Sequence, residues 1–415
     1  MLITKKGYKL SNSQLLDFGI IGFILTMPFK IQINSLFLII SALLWIVSGR
    51  ALSDLKSLLK FKLYQLYILL YSLYIVGLLY STNMQAAFSE LELKVSLLLL
   101  PPILHSLFSQ GRAKNRYLFI FVLACFIAAV SSLFMIFYKI YFLDMYRQPN
   151  QPLQIDWVYF SFHLPKQINF HAPYFSMYVM LSIFILAHWI LKEVNNGQTW
   201  KILLGLVTIF FFFTFNVLLS SRTALVSGTI ILLIGSIAYF FSKKRYSQAG
   251  LVLSLSSILI CSLYFNTPYL RRKLEGGTGI TQRQQLWRAG FELIKDTPFI
   301  GVGPGDTKDR LAVQYSRMGL SSEAKNRLDP HNQYIQMFLA LGVMGILVYT
   351  VCLLYLLFTS LRNSSYLLTA FVLLYILCGT TESVFNSQKG VVLFAFIAGV
   401  LAFREREVQF ESSFS

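Results

Sequence analysis

Residues 332–359 read NQYIQMFLALGVMGILVYTVCLLYLLFT. The run carries no charged residue and exceeds the ~20 apolar residues that a helix needs to cross a hydrocarbon layer of about 30 Å. It is read as a transmembrane helix. Working outward from it, eleven further runs have the same character, at 15–28, 31–48, 62–79, 95–108, 117–141, 173–191, 201–219, 222–241, 250–265, 366–381 and 389–403. Of the 415 residues 56% are hydrophobic and only 13% charged, which excludes an ordinary soluble domain. The expected fold is all-α, a polytopic membrane protein of about twelve transmembrane helices. The shortest runs include Pro28 or Pro101 and Pro102, which a membrane helix tolerates when neighbours satisfy the freed backbone groups.

One long hydrophilic segment, from Asn266 to His331, interrupts these runs. It divides the chain into a first transmembrane part (1–265), an outer helical loop (266–331) and a last part (332–415) with three spans and a tail. Within the loop, Thr281 is the expected N-cap of a helix whose apolar stripe is Trp287, Phe291 and Ile294, with Leu286 beside it, and which Pro298 stops. A short helix is expected over Asp306–Gln314, and a third capped by a serine of Ser321-Ser322. Together they predict a small helical cap over the membrane domain.

A formal net charge of +18 could indicate nucleic-acid binding, but the cations are scattered between apolar runs without a reading module. Their distribution is topological. Alternate loops collect Lys5, Lys6 and Lys9, then Arg50, Lys56, Lys60 and Lys62, then Arg112, Lys114 and Arg116, with further cations up to Arg404 and Arg406. By the positive-inside rule these face the cytoplasm. The opposite set is sparse: Lys30, Lys94, Lys139, Arg147, Lys166, Arg222 and Lys389 outside the long loop. The long loop shares that side, since long loops largely escape the rule. The basic N-terminus is not closed by a small-residue cleavage site, so the first run is read as a retained helix. Cys125, Cys261, Cys352 and Cys378 all fall in apolar runs and read as small buried hydrophobes.

Several residues on the outer side can carry chemistry. Arg222, after Ser220-Ser221, can bind diphosphate oxygens through its guanidinium fork or simply snorkel to the interface. Arg283 and Arg288 are five apart, about 140° around a helix, so one phosphate cannot meet both on a rigid face. Arg283 is the candidate diphosphate contact, while Arg288 supports it or meets lipid headgroups. His331, in Asp329-Pro330-His331-Asn332, can accept a proton from a sugar hydroxyl or act as a structural residue. Glu382 is read as ordering an arginine, binding the acceptor or facing solvent. His171-Ala-Pro-Tyr174 opens a helix and places His171 and Tyr174 on the same cavity. His163 and His171, eight apart without a carboxylate partner, do not make a metal site. His105 and His188 lie near the other side and read as structural. Gly301-Val-Gly303-Pro304-Gly305 lacks the ending of a P-loop and reads as a tight turn back to the membrane.

These pieces resemble the O-antigen ligase and polymerase superfamily of bacterial membrane glycosyltransferases. The resemblance rests on Ser221-Arg222-Thr-Ala, on Arg283-Gln-Gln-Leu-Trp287-Arg288, on Asp296-Thr-Pro298-Phe-Ile-Gly301-Val-Gly303-Pro-Gly305, and on Pro330-His331-Asn332 with Gly342 eleven residues on. It covers about Asn216 to Leu401. It implies a bacterial inner-membrane enzyme with a periplasmic active site. Such an enzyme moves a glycan from a polyprenyl (undecaprenyl) diphosphate carrier to a hydroxyl acceptor without a cofactor or metal. The acceptor is lipid A-core for a ligase or a growing glycan for a repeat-unit polymerase, and His171-Ala-Pro-Tyr174 is similar to polymerase-like members. In that scheme Arg222 and Arg283 hold the diphosphate and His331 activates the acceptor. Membrane lipids are the other partner expected, and nucleic acid is not. A transporter or flippase for an anionic lipid-linked substrate is the competing class, although no inverted repeat or deep charge pair favours it.

Overall fold

The computed structural model describes residues 11–143, 145, 159–193, 198–247, 250 and 278–403. Every regular element among them is helical. In chain order they are α1 (Asn12–Thr26), α2 (Ile31–Val47), α3 (Ala51–Leu58), α4 (Lys62–Leu78), α5 (Met84–Ser109) and α6 (Lys114–Tyr141). A π-turn (Tyr159–His163) and the single turn α7 (Leu164–Lys166) lead to α8 (Ala172–Glu193), α9 (Thr199–Leu219) and α10 (Arg222–Ser242). Then come α11 (Thr278–Asp296), α12 (Thr307–Arg317), α13 (Ser321–Lys325), α14 (Gln333–Arg362), α15 (Tyr366–Gly379) and α16 (Gln388–Leu401).

Eleven of the twelve expected runs coincide with helices, and the twelfth, 250–265, lies outside the described residues from 251 on. Twelve crossings do not follow. Six helices, α5, α6, α8, α9, α10 and α14, are long and apolar enough to cross, and α2 with α3 makes a seventh only if their 102° bend is counted as one broken span. The apolar helices α4, α15 and α16 have 14 to 17 residues, about 21–26 Å at ~1.5 Å per residue, short of a full hydrocarbon layer. α5 in turn begins at Met84, well before the expected 95, and runs through Pro101 and Pro102, both buried inside the bundle.

Polar contacts sort the helix ends into two groups. At one end Asp17 accepts from Arg116 (2.7 Å) and Tyr117 (2.7 Å), Arg50 donates to Ser109 Oγ (2.8 Å), and Lys114 donates to the Phe403 carbonyl (2.9 Å). At the other end the Asp306 carboxylate accepts from Thr82 N–H (2.7 Å), Thr82 Oγ1 (2.8 Å) and Asn83 N–H (2.8 Å), just ahead of α5. The same end holds Lys389, buried at the start of α16, whose ammonium donates to the carbonyls of Met27 (2.6 Å) and Phe29.

The main core runs through the bundle, whereas a second, smaller core joins α11 and α12 to the beginning of α14 through Leu286, Leu293, Leu311, Tyr315, Ile335 and Leu339. The inward face of α11 therefore differs from the expected stripe. Leu286, Ala289, Leu293 and Ile294 are buried, while Phe291 is 52% exposed. Thr281 does not cap the helix, which begins at Thr278 and ends at Asp296, before Pro298. α12 starts at Thr307, one residue later than expected, and extends to Arg317, and the N-cap of α13 is Leu320 rather than a serine.

The glycine run docks on a break in α14. At Gly342 the backbone leaves the helix (φ 65°, ψ −159°), and a Cβ there would meet Phe299 O at 2.1 Å. Only glycine admits both the conformation and the approach. Val302 N–H donates to Leu339 O (2.7 Å) and Val343 N–H to Pro298 O (3.0 Å), so the turn occupies hydrogen bonds that the helix gives up.

Candidate active site

Four local structures deliver the site. Helix α9 ends with Ser220 in the left-handed region (φ 52°), and Ser221 is the extended N-cap of α10, whose first residue is Arg222. Ser221 makes no side-chain capping bond. The positive end of α10 thus points at the same space as the Arg222 guanidinium, an arrangement suited to anions.

Ahead of α14, Asn332 caps the helix by accepting from Tyr334 N–H (3.0 Å) and Ile335 N–H (3.1 Å). This fixes the residue before it. His331 adopts φ 44°, and its N–H donates to Asp329 Oδ1 at 2.9 Å. Asp-Pro-His-Asn is therefore a short cap-and-turn unit that holds an imidazole at the mouth of a helix.

α11 supplies Arg283, and the turn after α15 supplies Glu382. The turn is held from several sides: Tyr174 Oη donates to Ser383 O (3.1 Å), Phe385 N–H to Gln333 Oε1 (2.6 Å), and Thr381 Oγ1 to Thr223 Oγ1 (2.6 Å). Glu382, with a side chain 9% exposed, lies between two partners. One oxygen is 3.0 Å from Arg283 Nη2 and the other 3.3 Å from His331 Nδ1.

Arg222, Arg283, His331 and Glu382 all line one cavity of about 250 Å³, with Ser161, Ala172, Pro173, Ser220, Ser221, Thr223, Gln282 and two leucines. The hydrogen bond that Glu382 accepts raises the His331 pKa above its ordinary value against the opposing effect of burial, with help from the charges of Asp329 and Glu382 and opposition from Arg283. The imidazole is a stronger base for having a carboxylate behind it.

Other expected residues take different places. Tyr174 holds the backbone of the Glu382 turn. His171, exposed at the start of α8, has its ring 6.0 Å from that of Tyr174, beside the Ala172 and Pro173 that line the cavity. Arg288, expected to support Arg283 or to meet lipid headgroups, is exposed and does not line the cavity, in keeping with the roughly 140° between the two arginines. His163 sits in the π-turn, its ring edge-on to Phe162. Among the described residues no group of three or more His, Cys, Asp or Glu is arranged to hold a metal ion. Sequence reasoning missed Ser161 and Gln282, which have no signature, and Thr223, whose only signal was its place beside Arg222.

Residues 205–350 match the family model Wzy_C, O-antigen ligase. This stretch belongs to the O-antigen ligase superfamily. The match spans most of α9 and the elements from α10 into α14, so it includes Arg222, Arg283 and His331 and ends before Glu382. The O-antigen ligase family consists of glycosyltransferase-like membrane enzymes, for which lipid-linked glycans are the implied substrates. The apolar helices agree with a multi-pass membrane protein. No curated protein matches the chain.

Proposed function

We propose that the chain is an O-antigen ligase-like glycosyltransferase of the bacterial inner membrane. It transfers a glycan from a polyprenyl diphosphate to a hydroxyl acceptor such as lipid A-core at the periplasmic face. The observation that carries this reading is the convergence of Arg222, Arg283, His331 and Glu382 on one cavity.

The chemistry follows from the contacts. Glu382 accepts the Nδ1 proton of His331, which leaves Nε2 as the base. Nε2 takes the proton of the acceptor hydroxyl as its oxygen attacks the anomeric carbon. The bond from that carbon to the diphosphate oxygen breaks, and its electron pair leaves with the diphosphate. Arg222, Arg283 and the first N–H groups of α10 stabilise the charge that builds up there. The imidazolium, balanced by Glu382, then gives up its proton to the medium. A direct displacement of this kind inverts the anomeric centre.

The test is purified protein with a polyprenyl diphosphate glycan and either lipid A-core or a glycan acceptor. Transfer with release of polyprenyl diphosphate supports the enzyme, and the productive acceptor separates ligase from polymerase. Movement of labelled carrier across liposomes without glycan transfer would establish a transporter instead.

A further inference from the structure

α14 is longer than the hydrocarbon layer is thick. Its 30 residues extend about 45 Å, against a hydrocarbon layer of about 30 Å. Gly342 divides it, and the part beyond the break, 343–362, measures about 30 Å at ~1.5 Å per residue, one hydrocarbon layer. The part before the break packs beneath α11 through Ile335 and Leu339. Gly342 therefore marks the level at which the helix enters the hydrocarbon.

The turn after α11 is fastened at that level by the bonds from Val343 to Pro298 and from Val302 to Leu339. Phe299 and Ile300, on this turn, are 76% and 59% exposed, and beside them Met344 and Leu347 face outward from α14. An apolar surface thus continues from the lipid-facing wall of α14 onto the turn. Farther back along α11, Lys295, Phe291 and Arg288 are exposed at helical spacing, with the acidic Glu292 and Asp296 beside them. Cations alternating with aromatics, and continuous with a lipid-facing wall, match the headgroup layer, where aromatic rings sit at the interface and long cationic side chains reach phosphates.

We propose that the stripe Arg288, Phe291, Lys295, Phe299 and Ile300 rests on the bilayer surface. Phe299 and Ile300 dip below the phosphates, and Arg288 and Lys295 meet anionic headgroups. Lys295 also reaches Glu292 at 2.9 Å, an exposed pair that can exchange for a headgroup phosphate. This seat fixes the height of α11, and with it Arg283, above the membrane. It stands independently of the reaction assigned to the site.

The test adds a fluorophore at the turn. Phe299→Trp protein in nanodiscs should show emission, relative to the parent, that lipids brominated near the headgroup quench more strongly than lipids brominated near the chain end, with little quenching by acrylamide. Free access of acrylamide, or shielding from acrylamide and from both brominated lipids, overturns the proposal; the second outcome means that protein covers the turn. For the charges, the parent should melt about 2–4 °C higher in phosphatidylglycerol than in phosphatidylcholine nanodiscs. A monodisperse R288E/K295E variant should lose that difference, and retaining it removes the electrostatic part of the contact.

Discussion

His331 Nδ1 lies 3.3 Å from Glu382 Oε2, across 51 residues of chain. The two arrive on separate turns, the histidine from one capped by Asn332 and the carboxylate from one held by Tyr174 and Gln333. Neither can follow the other if it shifts. Their pairing therefore depends on how the bundle packs.

Because Glu382 raises the His331 pKa, the acid limb of kcat/KM should fall above the ordinary value of about 6.5. Activity needs the neutral imidazole, so it rises as pH climbs through the folded value. Glu382→Gln should move the limb toward or below 6.5, and a pH–rate profile of both proteins checks this. The linkage to stability has the opposite sense: the contribution of the pair is complete below the unfolded pKa and is lost as pH rises through the folded one.

His331→Ala should lower kcat by about 10²–10⁴ while the protein stays monodisperse, since a positioned base contributes about that much. Near-normal turnover by the variant would remove His331 from the mechanism. Transfer assays with lipid-linked donor at saturating acceptor make the comparison.

Arg222→Ala and Arg283→Ala should each cost about 10²–10³ in kcat, the usual loss when one preorganised donor to a developing negative charge is removed. Arg283→Lys should recover little, because an ammonium cannot hold Glu382 and a phosphate oxygen with the spread of a guanidinium fork. The separation of kcat from donor KM checks both.

Asp306 should be a stability residue. Burial alone would raise its pKa, but bonds from the Thr82 and Asn83 N–H groups and the Thr82 hydroxyl hold it below the ordinary value. Asp306→Ala should destabilise the protein by about 2–4 kcal/mol, as bonds to a charged acceptor at about 1.5–3 kcal/mol each are partly replaced by water. In the parent, that contribution is present above about pH 4 and is lost as pH falls through the depressed folded value. Melting temperatures of the parent and of Asp306→Ala, compared at about pH 6 and at about pH 3, test the sign.

Gly342→Ala should destabilise by about 2–4 kcal/mol or prevent folding, because the backbone is left-handed there and Phe299 O fills the space of a Cβ. Gly111→Ala is the control for conformation without contact, since φ is 83° and no atom lies within 4 Å. It should cost about 1 kcal/mol. Thermal denaturation of the two variants separates close approach from backbone strain.

The apolar runs were legible because bilayer thickness fixes a length, and eleven of them reappear as helices. The number of crossings was not, because α4, α15 and α16 carry the composition of a span without its length. At the site, Arg222 and His331 stood out as polar residues beside apolar runs and Arg283 as a cation in the long hydrophilic segment, and their meeting in one cavity depends on helix packing that hydropathy does not encode. The inward face of α11 was misjudged because large apolar residues were expected to point inward. Phe291 points out, and the small residues Ala289 and Gly290 allow α14 to approach, with Gly290 against Ile335. Asp306 and Lys389 could be seen only as isolated charges, since their partners are backbone groups and, for Asp306, a distant threonine hydroxyl, which no sequence pattern records.

Lys389 bonds to main-chain oxygens, the carbonyls of Met27 and Phe29. A carbonyl is supplied by any amino acid, so the turn between α1 and α2 can change its side chains and still receive the lysine. That turn is thereby free to diverge in sequence while remaining fastened to the helix that follows Glu382. Substitutions of the side chains of Met27 and Phe29 that keep the course of the turn should leave the Lys389 contact in place.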